Sequence, residues 1–590
     1  MAGRNSIMPP SESDDTTPSL KRVPQQEPRA SFLPGSAPGN NRLPLIVCAG
    51  GVLLGLLAFL PVMRAWFSSE ELVLFAVLKN DPFAIWSGRN HEPGFFRPLI
   101  PLTAWIWTKI FGVRPMPFHA LNILLHAMNA VMVAAIARRW VAHLPANNLL
   151  RGAGIAASCG VLFWLWPAHS EPVAWIPGLT DVESTVFGLG SILCYLVSRT
   201  SAAAGSGSEA PRTVSPGWLT GSVVLYVAAL CTKEATITLP GAVGIYELMR
   251  ASHERRLRSI TVIGPLVFGV VMIGYFAARR WWTGSFLGGY GGSFHADYSW
   301  ERLRLAIGPN LANAFLPVPG FLVDNRNGIM IGFAVVCAAI LIRLARSRRG
   351  VSVAIIAAAA ASMLMLLPAI NLGPGLIMEG QRFAYFASAL SSISLVFLLA
   401  SCLPATRIRW TALALLMLAA GSLLAYHNQA WYRAGKMAKK IVGGMGDLPR
   451  ARKLFVLATT DNYREAFIMP HSLQFAAQAV TGKLPAVAMP IAIAVNNWQP
   501  GCHVQAEAGE RNGLAGWQVW LDAPQKRRGP LSPELEPVGG SSDWRVLAVE
   551  AAGKSVFVSP ADYDPTRDGV VYLDGAKWRV VARPAELPRE

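Results

Sequence analysis

The sequence predicts a polytopic α-helical membrane protein with a C-terminal extramembrane domain of α+β or mostly β structure. Hydrophobic residues make up 52% of the 590 residues and charged residues only 15%, whereas soluble domains carry about a quarter of charged residues. Apolar runs of nearly bilayer-spanning length recur along the first two-thirds of the chain. Beyond them, short β-rich segments are separated by Gly, Pro and Asp.

The apolar runs predict about eleven transmembrane helices, which together form a membrane domain over 43–428. The first run, 44–63, follows a polar, Pro-rich segment at 1–42 that we expect to be a disordered cytoplasmic tail. The later runs lie at 118–137, 152–167, 177–197, 217–232, 235–249, 259–278, 328–344, 352–370, 383–403 and 410–426.

Basic residues in the short loops indicate the orientation. Counted from a cytoplasmic N-terminus, every strongly basic short loop falls on the cytoplasmic side; these loops lie at 138–151, 199–212, 250–258, 343–349 and 407–409. This agreement requires a break at Lys233-Glu234 between two short spans. The net charge of +18 is then explained by membrane topology, and we expect no nucleic-acid partner. The domain at 429–590 is predicted to be periplasmic or extracellular, and the loop-poor, Ala- and Arg-rich style favours a bacterial inner membrane.

Two predicted outer loops are long, at 64–117 and 279–327. The first contains a Trp-rich apolar stretch between Pro98 and Gly112, which is short and therefore predicts an interfacial helix lying along the membrane. In the second, Arg279 and its neighbours are expected to rest on the bilayer surface.

The C-terminal domain shows a clear turn signal. Asp574-Gly575 between two β-rich runs predicts a hairpin. Residues 470–482 predict one helix.

Ionisable side chains at the outer ends of the predicted spans are candidate functional residues, because charge is costly there. They occur at Arg97, His119, His169, Glu171, Asp181, Lys233, Glu234, Glu379 and Arg382, with Tyr385 beside the last. If these turns converge, they form one polar pocket beneath the external domain, with access from the lipid.

Structural interpretations of the same residues stay open. His119, Asn122 and His126 share one helix face and would form a polar seam between helices. Lys233 and Glu234 would form a local ion pair that keeps both charges out of the lipid.

The ordered motifs resemble a known family. They are FRPL, PxxFHxxNxxLHxxNA, PxHSEPVAWIxGxxD, KExxxxLP and ExQRxxY, in this order between about 44 and 430. The set resembles the membrane core of the transmembrane and tetratricopeptide-repeat O-mannosyltransferases and their bacterial relatives, which belong to the GT-C superfamily of glycosyltransferases. The resemblance implies a GT-C-like fold for 43–428, but no helical period of about 34 residues follows it.

The resemblance implies an inverting glycosyltransferase that moves a sugar from a polyprenyl-phosphate-linked donor to a hydroxyl of a glycan or protein acceptor at the outer membrane face. The superfamily uses an acidic residue just after the first helix as the catalytic base, commonly from an Asp-Asp pair. This chain has Glu70 and Glu71 there, with Asp81 as a second candidate. Alternatively, both glutamates start an exposed helix capped by Ser69, because acidic residues favour the first helical turn.

Arg382 matches the family's Arg-Tyr motif and is the expected ligand of the donor phosphate, supported by Arg97 and Lys233. The candidates for the pocket wall and acceptor positioning are His119, His169, Glu171, Asp181, Glu234 and Tyr385. Some superfamily members bind a divalent metal, but no ligand set is recognisable in this sequence and no cofactor is assigned. Two other functions remain open: a polyprenyl-phosphate-sugar binder or transporter without transfer activity, and a membrane scaffold for envelope assembly.

Overall fold

The structure is a computed structural model that describes most of the chain between Arg42 and Arg583. The described residues are 42–68, 71–72, 75, 95–142, 150–201, 215–255, 259–286, 310–317, 338, 342, 349–369, 380–403, 405–449, 451–464, 466–468, 473, 488–496, 498–523, 534–538, 543–550 and 554–583. Several predictions lie outside these residues: the tail up to 41, Glu70, Asp81, Glu379, most of the span at 328–344 and most of the helix at 470–482.

Twelve α-helices are formed by the described residues. They are α1 (Leu43–Phe59), α2 (Leu99–Phe111), α3 (Pro115–Trp140), α4 (Ala153–Trp164), α5 (Ser170–Ala174), α6 (Leu179–Ser201), α7 (Pro216–Thr232), α8 (Leu239–Glu254), α9 (Ser259–Thr283), α10 (Arg349–Leu366), α11 (Tyr385–Cys402) and α12 (Thr406–Gly443). All except α2 and α5 occupy predicted spans, which confirms the helical membrane class. Six stretches of the described chain are long and apolar enough to cross a membrane, so the count of about eleven stays a prediction.

The break predicted at Lys233-Glu234 is confirmed. α7 ends at Thr232, Lys233 is extended with φ −159°, and a short 3-10 turn at Glu234–Thr238 leads into α8. Pro240 in the first turn of α8 favours a new helix there, since proline fits a helix start but not its interior.

Three boundaries differ from the predictions. The interfacial stretch is helical as α2, with 13 residues, and its position relative to the bilayer stays a prediction. α12 continues through the predicted boundary at 428 to Gly443, because residues after 426 lose hydropathy but keep good helix formers such as Ala, Lys and Met. α9 likewise extends to Thr283, so the loop predicted from 279 begins with helix.

Small residues allow the helices around α4 to pack closely. A Cβ atom added at Gly160 would lie only 2.4 Å from the Ala130 carbonyl oxygen of α3. Backbones can approach this closely only where side chains are minimal, which is how helices in membranes gain contact without a hydrophobic driving force.

The C-terminal domain is mostly β in its described residues, as predicted. Its strands are β1 (Leu454–Thr460), β2 (Asn462–Tyr463), β3 (Ala466–Phe467), β4 (Ile491–Asn496), β5 (His503–Arg511), β6 (Leu514–Asp522), β7 (Glu534–Pro537), β8 (Trp544–Glu550), β9 (Ser555–Pro560), β10 (Gly569–Asp574) and β11 (Lys577–Ala582). A mixed sheet has the order β11-β10-β1-β4-β7, and an antiparallel sheet has the order β5-β6-β9-β8. The predicted hairpin is β10–β11, with Gly575 at φ 62°.

The C-terminal domain packs against the end of α12. The indole N–H of Trp578 donates to the carbonyl of Ile441 at 2.9 Å. The hairpin of β2 and β3 lies beside the same helix, where Arg433 donates to the Tyr463 hydroxyl at 2.9 Å. The two domains therefore share one continuous helix and a packed contact.

Candidate functional site

Six charged residues from five separate segments of the chain meet at one end of the helical domain. We call them the turn cluster: Arg97, Glu171, Asp181, Lys233, Glu234 and Arg382. Most lie on or beside short helical turns that interrupt the apolar spans, where proline and glycine prevent a continuous helix. The structure therefore brings six of the predicted site residues together.

Arg382 and Glu171 form the best-defined contact of the turn cluster. The carboxylate of Glu171 accepts from the Arg382 guanidinium at 2.5 Å and from the Arg382 backbone N–H at 3.2 Å. The guanidinium also lies over the rings of Trp175 and Phe383, at 4.7 and 5.0 Å from their centroids. Burial raises the pKa of Glu171, and the positive charge of Arg382 opposes this.

α5, which carries Glu171, is tied to two other helices. Ser170 donates to the Asn428 side-chain oxygen on α12 at 2.7 Å, and Asn428 donates to the Ala58 carbonyl of α1 at 2.9 Å. Gly178 permits the tight turn that follows, because a Cβ there would lie 2.3 Å from the Pro172 carbonyl oxygen. These contacts fix the carboxylate that faces Arg382.

The predicted local ion pair between Lys233 and Glu234 is wrong. Lys233 instead pairs with Asp181 of α6 at 2.5 Å, and Glu234 pairs with Arg97 at 2.5 Å. The extended backbone at Lys233 explains this, since consecutive side chains of an extended segment point in opposite directions. Burial alone would raise the pKa of Glu234, but Arg97 and then Lys233 together lower it to about 2.

A small cleft lies between these turns. Its polar lining consists of Asp181, Ser184, Thr185, Lys233, Glu234 and Arg382, and its apolar lining includes Met365, Pro368, Phe383 and Phe386. Two cations and two carboxylates thus share a small space with aromatic and aliphatic side chains.

His119, His169 and Tyr385 are not among the described residues that line this cleft. His126 accepts from the Tyr385 hydroxyl at 2.7 Å and donates to the Trp164 carbonyl at 3.2 Å, since a carbonyl can only accept. Asn129 donates to the same hydroxyl at 3.2 Å. The polar seam considered for His126 is therefore confirmed, and Tyr385 belongs to it.

His169 has a related structural setting. Its Nε2 lies 2.7 Å from the Ser388 hydroxyl, and that hydroxyl donates to the Tyr385 carbonyl. Because the single hydroxyl proton is used there, Nε2 of His169 is the donor of this pair. Burial, with His126 beside it, holds the pKa of His169 well below its ordinary value, so the ring is neutral.

Glu71 is buried, with 1% of its surface exposed, and its carboxylate accepts from the backbone N–H of Ser68. This is one half of a capping box, in which the third helical residue caps the N-cap residue. Glu71 is therefore buried rather than exposed, whereas Ser69 and Glu70 lie outside the described residues. The chain before it passes close to His119, whose ring faces the backbone of Ala65 and Ala174.

Sequence reasoning missed two charged residues at this end. Arg279, expected on the bilayer surface, is 3% exposed and lies beside Tyr275 near Arg97 and Glu234. Glu183 on α6 is 6% exposed and accepts from the Thr103 hydroxyl at 2.8 Å. The sequence signal for Arg279 is its position at the end of an apolar run, where two arginines are followed by two tryptophans.

No group of three or more His, Cys, Asp or Glu side chains within the described ranges is placed to hold a metal ion. The acidic side chains of the turn cluster face lysine and arginine instead.

Fold and site together define a polytopic helical membrane protein with a charged, partly apolar cleft at the helix ends. Comparison with known proteins gives a consistent answer. The chain is similar to protein O-mannosyl-transferase TMTC1 of Mus musculus, with 27% identity over 239 residues, which is 40% of this chain and 24% of that protein. It is also similar to TMTC3 of Mus musculus, with 30% identity over 181 residues, or 31% and 17%. The chain thus spans about a quarter or less of the length of these relatives, and no family model matches it.

The chain is also similar to solved structures, with low sequence identity. ArnT from Cupriavidus metallidurans bound to undecaprenyl phosphate has a TM-score of 0.39 and 13% identity, covering 77% of this chain and 93% of that one. The archaeal oligosaccharyltransferase AglB from Archaeoglobus fulgidus, in complex with an inhibitory peptide and a dolichol-phosphate, has a TM-score of 0.40 and 10% identity, covering 75% and 64%. The resemblance noted in the sequence motifs agrees with the similarity to the O-mannosyl-transferases.

Proposed function

We propose that this protein is an inverting glycosyltransferase that moves a sugar from a polyprenyl-phosphate-linked donor to a hydroxyl of a glycan or protein acceptor. One observation carries the proposal: the cleft places Lys233 and Arg382 beside apolar side chains where several helices end. Such a site suits a ligand with an anionic head and a hydrocarbon tail. The similarity to protein O-mannosyl-transferases supports a sugar as the transferred group.

The donor phosphate is assigned to Arg382, with Lys233 and Arg97 in support. A guanidinium has five N–H donors in a planar fork that matches phosphate oxygens. The Arg382 guanidinium already donates a hydrogen bond to the Glu171 carboxylate. A phosphate would therefore bind the remaining N–H groups of Arg382 or replace Glu171 as the acceptor. Cations here stabilise the charge that develops on the departing lipid phosphate.

The donor lipid is assigned to an apolar groove that adjoins the cleft. Met365 and Pro368 line the cleft, while their sequence neighbours line a groove without charged walls. The lining of the groove is Ile245, Leu311, Ala360, Met363, Leu364, Leu366 and Leu367. A polyprenyl chain buries only hydrocarbon and needs no polar partner.

The catalytic base is assigned to Glu71, with Glu70 and Asp81 as the other candidates. The carboxylate takes the proton of the acceptor hydroxyl as its oxygen attacks the anomeric carbon. The bond between that carbon and the phosphate oxygen breaks, its electron pair leaves with the lipid phosphate, and the configuration inverts.

The site is assigned to the non-cytoplasmic face of a bacterial inner membrane. Arg199, Arg250 and Arg409 lie at the helix ends opposite the turn cluster, which agrees with the enrichment of basic residues on the cytoplasmic side. The N-terminus is then cytoplasmic, and the C-terminal domain stands outside the membrane.

The test uses the full-length protein with undecaprenyl-phosphate-linked hexoses, measuring release of undecaprenyl phosphate and its binding. Arg382→Gln is expected to reduce transfer about 100-fold or more, since loss of one aimed donor costs about that much. Arg114→Gln is the matched control, because Arg114 is exposed before α3. Equal transfer by Arg382→Gln and Arg114→Gln would exclude the proposed site.

The second candidate function is a binder or transporter of the same lipid without transfer. The capping hydrogen bond of Glu71 favours it, because this carboxylate already has a structural role. Undecaprenyl phosphate binding that depends on Arg382, with no hexose transfer in the wild type, would support that function instead.

A further inference from the structure

A hairpin of the C-terminal domain reaches the aromatic residue that supports Arg382. β2 and β3 pair in antiparallel register, and Phe467 is the last residue of β3. The ring of Phe467 lies 5.4 Å from the ring of Trp175, measured between centroids. Trp175 in turn lies under the guanidinium of Arg382 at 4.7 Å. The side chains of Phe467, Trp175 and Arg382 thus form a continuous contact from the extramembrane domain to the arginine proposed to bind phosphate.

The backbone of Trp175 is fixed, but its side chain depends on packing. The Asn122 side chain donates to the Trp175 carbonyl at 3.1 Å, and Gly178 N–H donates to the same carbonyl at 3.0 Å. Among the described residues, however, the buried indole N–H of Trp175 has no hydrogen-bond partner. Ring contacts with Phe467 and Arg382 therefore orient the indole.

The hairpin itself is anchored on α12. The ring of Phe467 also contacts Trp431, at 5.9 Å between centroids. Arg433 holds Tyr463, and the guanidinium of Arg464 lies 4.8 Å from the centroid of the Tyr426 ring. The turn residue Arg464 has φ 56°, an uncommon value for a residue with a side chain, which persists only where surrounding contacts determine it.

We propose that Phe467 is a positioning residue that holds the Trp175 ring beneath Arg382, so that the C-terminal domain completes the phosphate-binding part of the site. This inference rests on the proposed function in taking Arg382 as the ligand of a lipid phosphate. The role of the external domain is then to orient an arginine inside the membrane domain. An aromatic face beneath a guanidinium favours one orientation of its planar fork.

The experiment separates positioning from simple docking of the domain. Binding of undecaprenyl phosphate and hexose transfer are measured for Phe467→Ala, with Phe467→Tyr as the variant that keeps the ring. Trp578→Phe is the matched control, since it removes a hydrogen bond between the domain and α12 but no contact with Trp175 or with the hairpin of β2 and β3. We expect Phe467→Ala to weaken binding about 3- to 10-fold, in line with loss of a supported cation–π contact, and we expect Phe467→Tyr and Trp578→Phe to bind like the wild type.

The outcomes distinguish the two proposals. Wild-type binding by Phe467→Ala, or equal weakening by Trp578→Phe, would overturn the positioning role and leave the proposed function intact. Weakened binding by Phe467→Ala without any hexose transfer in the wild type would overturn the glycosyltransferase and support the positioning role. Failure of the wild type to bind undecaprenyl phosphate would overturn both.

Discussion

The two ends of the helical domain handle buried charge differently. At the turn cluster, each ion pair joins two separate turns and borders a cleft. At the opposite end, Arg199 and Glu247 lie within regular helices α6 and α8, and we call them the Arg199 pair. Glu247 accepts from the Arg199 guanidinium at 2.8 Å and from the Tyr195 hydroxyl at 2.9 Å. The side chains of Arg199 and Glu247 are 4% and 1% exposed, and those of Lys233 and Asp181 are both 5% exposed, so the two ends differ in whether a pair borders the cleft and not in burial.

The comparison distinguishes ion pairs that only hold helices together from ion pairs that a ligand could contact. A buried ion pair gives little net stability, because desolvation offsets the attraction, but removal of one partner is costly. The Arg199 pair fits a purely structural role between two helices. The turn cluster carries the same kind of pairs on turns beside open space, an arrangement that costs stability and is typical of functional sites.

The sharpest test of this comparison concerns Glu71, which lies on the chain that enters the same end as the turn cluster. In Glu71→Gln the side chain still accepts the Ser68 N–H, since glutamine serves in a capping box as well as glutamate. The change therefore removes the carboxylate proposed as the base and preserves the hydrogen bond to Ser68. We expect hexose transfer to fall about 10²- to 10⁴-fold, with the melting temperature nearly unchanged.

Glu70→Gln and Asp81→Asn are assayed in parallel with Glu71→Gln. Full transfer by Glu71→Gln, together with loss in one of the other two variants, would move the base to that residue. Full transfer by all three would remove the carboxylate mechanism.

Matched double substitutions would test the two ends directly. Asp181→Leu leaves Lys233 buried without its carboxylate, and we expect this to cost about 3–5 kcal/mol of unfolding free energy, with recovery when Lys233→Met is added. The same pattern is expected for Glu247→Leu and Arg199→Met. Hexose transfer, however, should return only in the double variant of the Arg199 pair, because the proposed function requires Lys233 to bind the donor phosphate.

Thermal unfolding and transfer are measured on all six variants of the two pairs. Recovered transfer in the Asp181→Leu, Lys233→Met protein would show that both ends are equally structural.

Within α12, Gly435 contacts the backbone of the segment that leads to Glu71, whereas Gly443 does not. A Cβ at Gly435 would lie 2.6 Å from the Trp66 backbone nitrogen, whereas one at Gly443 meets no atom within 4 Å. We expect Gly435→Ala to destabilise the protein by about 1–3 kcal/mol through overpacking and to lower transfer by displacing the segment before Glu71. Gly443→Ala is the control in the same helix. Equal melting temperatures of the two variants would contradict this contact.

The smallest expected effect is the acid sensitivity of the Arg97–Glu234 pair. The pKa of Glu234 is lowered from its ordinary value of 4.5 to about 2, so the folded state binds this proton more weakly than the unfolded state. The stabilisation is present above pH 4.5 and is lost as the pH falls towards about 2. Because the pair is partly exposed, we expect a contribution of only about 1 kcal/mol.

Melting temperatures of the wild type and Glu234→Gln, compared over this pH range, measure that contribution. The difference should shrink as the solution becomes more acidic. A difference that stays constant would mean that the carboxylate remains ionised by other contacts.

Much of the membrane domain could be predicted because apolar runs report spans directly. The charged candidates Arg382, Glu171 and Asp181 were found for the same reason, since charge at the end of a span is costly. Their ion-pair partners could not be predicted, because Lys233 and Asp181 are 52 residues apart in the sequence. The adjacent residue Glu234 is the simpler partner for Lys233 when only the sequence is known. A local sequence pattern does not show which distant segments lie close together in the fold.

The C-terminal domain shows the same limit. Strands rich in Val, Ile and Trp can be predicted from the sequence, whereas β5 cannot, because its sequence, HVQAEAGER, is polar and lacks repeated β-branched residues. Phe467 gave no signal, since one aromatic residue in a two-residue strand is unremarkable until its neighbours are known.

The unbroken length of α12 has a geometric consequence. Asn428 is held to α1 and α5, and Trp431 and Arg433 carry the hairpin of β2 and β3. One inserted or deleted residue between these points would swing the hairpin by about 100° around the helix axis. The stretch of helix between Asn428 and Arg433 is therefore expected to tolerate no change in its number of residues.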